Sequence, residues 1–255
     1  TELGFEAVTA GNCSEATSYL NFNDVDLITL DLNMPDMKGD KWLEVERREG
    51  LTTPVVIISE VHASDAEDVV KLLELGAQDY IEKDKLRDNP KKLKETFVEL
   101  IQAQGSNARA KSIGGSAPQV RPEVILIGAS TGGPQALVKL LSKMPPDSPA
   151  LVITQHMSPK FTRPMGERLS DTSGLPLGEV ADRAPLLPGH IYMAYGDYHL
   201  GIGEEQGRLV LNVSNSAAFN GHRPSVDYMF NSALGLRAPV MAVLLTGMGR
   251  DGALG

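Results

Sequence analysis

The sequence predicts an α/β protein of two domains, each a mostly parallel sheet flanked by helices, the second with a short antiparallel segment. Three observations carry this reading. The chain has 255 residues, about two domains at roughly 100–200 residues each. Short apolar, β-branched runs alternate with stretches whose apolar residues recur every three or four positions, the grammar of parallel strands joined by crossover helices. Charge falls in three blocks: residues 1–104 carry 11 basic and 22 acidic residues, residues 105–122 three basic and no acidic, residues 123–255 10 basic and 11 acidic. The middle block, from Gly105-Ser106-Asn107 to Pro122, has little to bury. Residues 104–122 are therefore expected as a linker between domains 1–103 and 123–255.

In the first domain, Val25–Leu30, Val55–Ile58 and Tyr80-Ile81 are expected as buried strands. Asp40–Glu49 and Ser64–Leu75 show helical spacing, with Ser64 as an N-cap and Gly76 as a stop. Lys91–Ala103 is a last amphipathic helix. In the second domain, Val124–Ile127, Leu151–Thr154 and Val240–Leu245 are strand-length apolar runs. Helices are expected from Pro134 over Gln135–Ser142, at Arg163–Leu169 and at Val226–Leu234. Pro188–Ala194 and Gly207–Leu211 are expected as shorter, antiparallel strands.

Composition excludes several functions. A net charge of −9 argues against nucleic-acid binding. No apolar run approaches the ~18 residues of a membrane span. The single cysteine, Cys13, excludes an internal disulfide and a Cys-based metal site and fits a reducing cytoplasm.

Chemistry in an open parallel sheet gathers at the carboxyl ends of its strands. Asp31, Ser59 and Lys83 follow the three strands of the first domain. A carboxylate that can attack phosphorus, a hydroxyl that can bond a phosphoryl oxygen and an ammonium that offsets charge suit phosphoryl transfer. Leu30-Asp31-Leu32-Asn33-Met34-Pro35-Asp36-Met37-Lys38-Gly39, Ile58-Ser59 and Ile81-Glu82-Lys83 resemble the phosphoacceptor loop, switch hydroxyl and lysine of response-regulator receiver domains, which are flavodoxin-like. The resemblance covers residues 1 to about 103 and implies Asp31 as the phosphorylation site, with Ser59 and Lys83 as the phosphoryl switch. It also implies Mg²⁺ during phosphorylation. Asp31 is one ligand; the family's acidic pair ends a first strand expected ahead of Thr1. Leu3–Val8 resembles the end of the first helix and the second strand. Asp84 follows Lys83 where the family usually has proline.

Gly128-Ala129-Ser130-Thr131-Gly132 fits G-x-S-x-G, a serine on a tight strand-to-helix turn with helix N–H groups behind it. The same glycine-rich turn also suits phosphate binding or loop closure. A serine nucleophile needs a base, and the base an orienting carboxylate. His156 and Asp251 each follow a parallel strand, on the rim that carries Ser130. His190 and His199 fall in the antiparallel segment and His222 in a loop, so none is expected on that rim; His62 belongs to the first domain.

Ile127–Pro134, Gln155-His156-Met157, Phe161-Thr162, Arg168-Leu169, Pro188-Gly189, Arg223-Pro224-Ser225-Val226-Asp227 and Leu245–Ala253 together resemble the catalytic domain of the CheB chemotaxis protein-glutamate methylesterases. The match spans 123–255, with further elements of that family expected after Asp251. It implies Ser130 as nucleophile, His156 as base and Asp251 as its orienter, with Thr131 and the backbone of Met248 near the oxyanion. The implied reaction hydrolyses glutamate methyl esters on chemoreceptor cytoplasmic helices without a cofactor, and in some members deamidates receptor glutamines. A chemotaxis histidine kinase would be the phosphodonor, and the receiver would restrain the esterase until phosphorylated. Neither nucleic acid nor membrane insertion is expected. The alternative is a phosphorelay receiver whose second domain only binds a partner; a DNA-binding output is disfavoured, and a glycine-loop nucleotide enzyme would be told apart by nucleotide binding.

Overall fold

The computed structural model describes residues 4–60, 66–86, 90–105, 120–247 and 249–255. It divides into two compact units, Thr1–Ser112 and Ile113–Gly255. Helix α4 (below) runs to Gly105, two residues into the expected linker, and residues 106–119 of that linker lie outside the described residues.

The first unit opens with a helix the apolar pattern does not announce, α1 (Cys13–Leu20). Its signal is local. Asn12 is the N-cap, its side chain accepting the Glu15 N–H at 2.8 Å, while Glu15 reaches back to the Gly11 N–H at 2.7 Å, a reciprocal arrangement like a capping box. The Asp36 carboxylate adds bonds from the Cys13 and Ser14 N–H groups, which hold it near a pKa of about 2. Then follow β1 (Ile28–Leu30), α2 (Gly39–Arg48), β2 (Val55–Ser59), α3 (Ala66–Glu74), β3 (Ala77–Glu82), a 3₁₀ turn at Lys83–Leu86 and α4 (Pro90–Gly105).

The sheet order is β1-β2-β3, all parallel. The expected strand Val25–Leu30 shortens to its last three residues because β2 begins opposite Ile28, at Val55, leaving earlier residues without a ladder partner. Phe5–Val8 is not a strand: no described strand pairs with it, and Val8 is exposed. The expected cap Ser64 lies outside the described residues. Leu43, Val55, Val56, Ile57, Val69 and Leu72 are fully buried and form the core; each such side chain contributes about 1.5–3 kcal/mol by leaving water.

The second unit contains β4 (Val124–Ala129), α5 (Gly133–Leu141), β5 (Ala150–Gln155), α6 (Pro159–Ser173), β6 (Ile191–Met193), β7 (His199–Glu205), β8 (Arg208–Ser214), α7 (Val226–Ser232) and β9 (Val240–Leu244). Four strands form a parallel sheet in the order β6-β5-β4-β9, and β7-β8 pair antiparallel beside it. The expectation for Pro188–Ala194 is corrected here: β6 runs parallel to β5, Leu151 opposite Ile191. Its three buried residues cover the edge of β5, every residue of which is buried. A short apolar segment carries no information about direction, so its pairing is decided by that exposed edge. Leu137, Leu141, Leu151, Ile153, Phe161, Met165 and Leu169 fill the space between sheet and helices.

Candidate active site

Parallel pairing places the carboxyl ends of β4, β5 and β9 side by side. Ala129 pairs with Gln155 and Gly128 with Leu244, so the next residues of all three strands emerge on one rim. The ladder extends a step further: the His156 N–H donates to Ala129 O at 3.1 Å, Leu245 N–H to Gly128 O at 2.9 Å, and Ser130 N–H to Thr246 O at 3.0 Å. Ser130 then begins a tight turn closed by Gly133 N–H to Ser130 O at 2.8 Å. Gly132 takes φ +72°, ψ 0° in that turn, a left-handed conformation that favours glycine, and caps α5. The loop after β9 presses close: a Cβ on Gly247 would stand 2.8 Å from the Ser130 Cβ.

The three side chains selected from sequence meet. Ser130 Oγ lies 3.1 Å from His156 Nδ1, and His156 Nε2 lies 2.7 Å from Asp251 Oδ2. The Asp251 side chain is 2 % exposed and that of His156 15 %. The carboxylate sits at the start of α7, where Oδ1 accepts the Ser225 hydroxyl at 2.7 Å and the Asp227 N–H at 3.0 Å, and Oδ2 accepts the Val226 N–H at 2.7 Å. Burial pushes the Asp251 carboxyl up, but the donors from His156, the Asp227 N–H, Ser225 and the Val226 N–H reverse it and hold it far below the usual carboxylate range. An ionised carboxylate only accepts, so it directs the His156 proton to Nε2 and leaves the Nδ1 lone pair facing Ser130. This line of groups can take a proton from a serine hydroxyl.

Thr131 continues the turn, its carbonyl accepting Thr246 Oγ1 at 3.1 Å; Met248 lies outside the described residues. One expectation fails. His222 is on the site: its ring stacks on His156 with centroids 4.1 Å apart and planes 2° from parallel. The loop bearing it closes through paired N–H···O bonds between Phe219 and His222, both 3.0 Å, and leads straight into the Ser225 cap that grips Asp251. That adjacency in sequence was the available signal. His190 precedes β6, so it stands at the amino end of the parallel strands, away from the Ser130 rim, bonded to Pro188 O. His199 is buried against Tyr228, its Nε2 donating to Ala217 O. His62 lies outside the described residues.

In the first unit, Asp31 follows β1, Ser59 ends β2 and Lys83 follows β3. Lys83 Nζ is 2.5 Å from Asp31 Oδ2, and Ser59 Oγ donates to Asp31 Oδ1 at 3.3 Å. The hydrogen bond to Asp31 raises the Lys83 ammonium above its ordinary value. Among the described residues no group of three His, Cys, Asp or Glu side chains converges on a cation site. With no such group around Asp31, the described residues do not by themselves fit the expected Mg²⁺.

Comparison with known proteins finds two families along the chain. Residues 125–255 match the family model described as CheB methylesterase, and residues 1–96 that described as response regulator receiver domain. A protein-glutamate methylesterase/protein-glutamine glutaminase of Bordetella parapertussis is 36% identical over 260 residues, covering 97% of this chain and 74% of that protein. One from Pseudomonas aeruginosa is 37% identical, covering 90% of this chain and 69% of that protein. The crystal structure of the Thermotoga maritima CheB methylesterase catalytic domain superposes with a TM-score of 0.50 at 36% identity, over 53% of this chain and 72% of that one. With a receiver model matched ahead of an esterase model and relatives aligned across nearly its whole length, the chain belongs to the CheB methylesterase family.

Proposed function

We propose that this chain is a phosphorylation-regulated protein-glutamate methylesterase acting on chemoreceptor cytoplasmic helices, and that the same acyl chemistry deamidates receptor glutamines. The observation that carries the reading is the line from the Ser130 hydroxyl through His156 to Asp251, at 3.1 and 2.7 Å.

Ser130 Oγ attacks the ester carbonyl while its proton passes to His156 Nδ1, and Asp251 offsets the charge on the imidazolium. The developing oxyanion is assigned to the turn at Thr131, ahead of α5, where a backbone N–H can stabilise it. Collapse of the adduct expels methanol, which takes the proton from His156 and leaves an acyl group on Ser130. Water attacks that acyl group, giving a proton to Nδ1, and the proton returns to Ser130 Oγ as the glutamate side chain is released. With a glutamine substrate the leaving group is ammonia. No step calls on a cofactor.

The receiver is the input. A chemotaxis histidine kinase supplies a phosphoryl group to Asp31, Lys83 offsets its charge and Ser59 bonds one of its oxygens. This assigns the chain to the cytoplasm; no helix among the described residues is long and apolar enough to cross a membrane. The test is Ser130→Ala assayed for methanol released from methylated receptors. Release is expected to fall by about 10⁴-fold or more with the melting temperature unchanged; near-normal release would overturn the reading.

A further inference from the structure

Gln155 is the last residue of β5 and is 2 % exposed. Its side-chain nitrogen donates to two carbonyls at once, Ser130 O at 2.9 Å and His156 O at 3.0 Å. Those are the backbone oxygens of the residues bearing the hydroxyl and the imidazole. The pairing comes from register: Ala129 and Gln155 face each other across the β4–β5 ladder, so Ser130 and His156 are the next residues of their strands. Beyond this point the strands separate, β4 into the Ser130 turn and β5 toward α6. One amide spans the gap where the ladder ends.

The other end of the amide is boxed in. Two carbonyl acceptors fix which terminal atom is the nitrogen, so Oε1 points away from them, buried and without a hydrogen-bond partner among the described residues. It packs against Gly133, where any Cβ would overlap Oε1 and stand 2.9 Å from the Ala129 Cβ. Gly133 in turn donates its N–H to Ser130 O. The second glycine of the Gly132-Gly133 pair is thus required by the amide, whereas the left-handed φ of the turn falls on the first. A buried orphan acceptor is a standing cost that an apolar side chain of the same size would avoid. Here it accompanies a donor that serves both residues of the proton-transfer pair.

Resting on the function proposed above, we infer that Gln155 is a positioning residue: with Gly133 it locks the backbones of Ser130 and His156 to each other and so sets the distance across which the proton passes. It touches neither the hydroxyl nor the imidazole, and it acts through both.

Gln155→Met keeps the volume and removes both donors. The expected result is a fall of about 10–100-fold in kcat per reactive serine, with KM for methylated receptor unchanged, since a displacement well under 1 Å at a reacting pair is felt at that scale. Reactive serines are counted by titration with a fluorophosphonate, and the rate of Ser130 labelling should fall alongside kcat. A purely structural role predicts fewer folded molecules but a normal rate per titrated serine, and that result would overturn the inference. Should Gln155→Met not fold, Gln155→Asn, whose amide is one methylene short of the two carbonyls, takes the same measurement. Ser130→Ala separates the two claims. Activity retained there removes the serine mechanism and this inference together; activity lost there with normal kcat in the Gln155 variants removes this inference alone.

Discussion

Two carboxylates carry the proposed chemistry, each at the carboxyl end of a parallel sheet, and they are held in opposite ways. The Asp251 side chain is 2 % exposed and takes four donors, three of them from residues 225–227 at the start of α7. Asp31 is 30 % exposed, and its principal partner is Lys83, itself 38 % exposed. The difference suits the tasks proposed for them. A carboxylate that orients a base must stay ionised and still through every turnover, so both oxygens are saturated by fixed groups. One that receives a phosphoryl group must offer an oxygen to a reagent arriving from solvent, and a flexible lysine can then follow the new charge. Similar sheets and strand ends are turned to different chemistry by how many donors close over the oxygens.

The largest expected effect comes from removing the buried charge. Asp251→Asn keeps the shape but can offer His156 an N–H instead of an acceptor, so the ring loses the constraint on its tautomer. Methanol release should fall about 10⁴-fold; a fall below tenfold would break the comparison. Asp31→Asn comes next: the ratio of methanol release with and without an acyl phosphate should drop to one, and a ratio left above one would mean that phosphorylation acts elsewhere. Ser225→Ala removes both the α7 N-cap and one donor to Asp251. A loss of about 1–3 kcal/mol is expected in denaturant unfolding, with a smaller fall in kcat than Asp251→Asn.

The smallest effect belongs to Lys83→Met. An ion pair this exposed is worth less than about 1 kcal/mol, so unfolding should barely change while phosphorylation-dependent activation is lost. The pH dependence has the same asymmetry. The depressed Asp251 contributes stability that is fully present above the ordinary carboxylate value near 4 and is lost as pH falls below it toward the lowered folded value. The raised Lys83 contributes below its ordinary value and loses that contribution as pH rises through the higher folded one. Over the neutral range both stay charged, so neither produces a limb of the rate profile there.

The residues legible from sequence share one property: each lies at or beyond the carboxyl end of an apolar run. Ser130, His156 and Asp251 come after β4, β5 and β9; Asp31 and Lys83 come after β1 and β3, and Ser59 closes β2. Strand-forming runs announce themselves locally, and parallel connection forces their carboxyl ends onto one rim. What escaped has no such marker. His222 sits in a loop whose position over His156 depends on the Phe219–His222 bridge and the Ser225 cap. Gln155 looks from its neighbours like the polar end of a strand; only the register opposite Ala129 reveals that its amide reaches two carbonyls. Helix α1 owes its start to capping by Asn12 and Glu15 rather than to an apolar stripe.

The amino-acid order by itself determined the two α/β domains, the strands that bear the candidate groups and the choice of serine, histidine and the two aspartates as candidates, because these follow from hydrophobic period and from chemistry carried by single side chains. The tertiary structure alone decided the direction of β6, the stacking of His222, the saturation of Asp251 and the clamp made by Gln155. Each of these is a relation between segments far apart in the chain, fixed by which edges, carbonyls and cavities were left to be satisfied once the strands had paired.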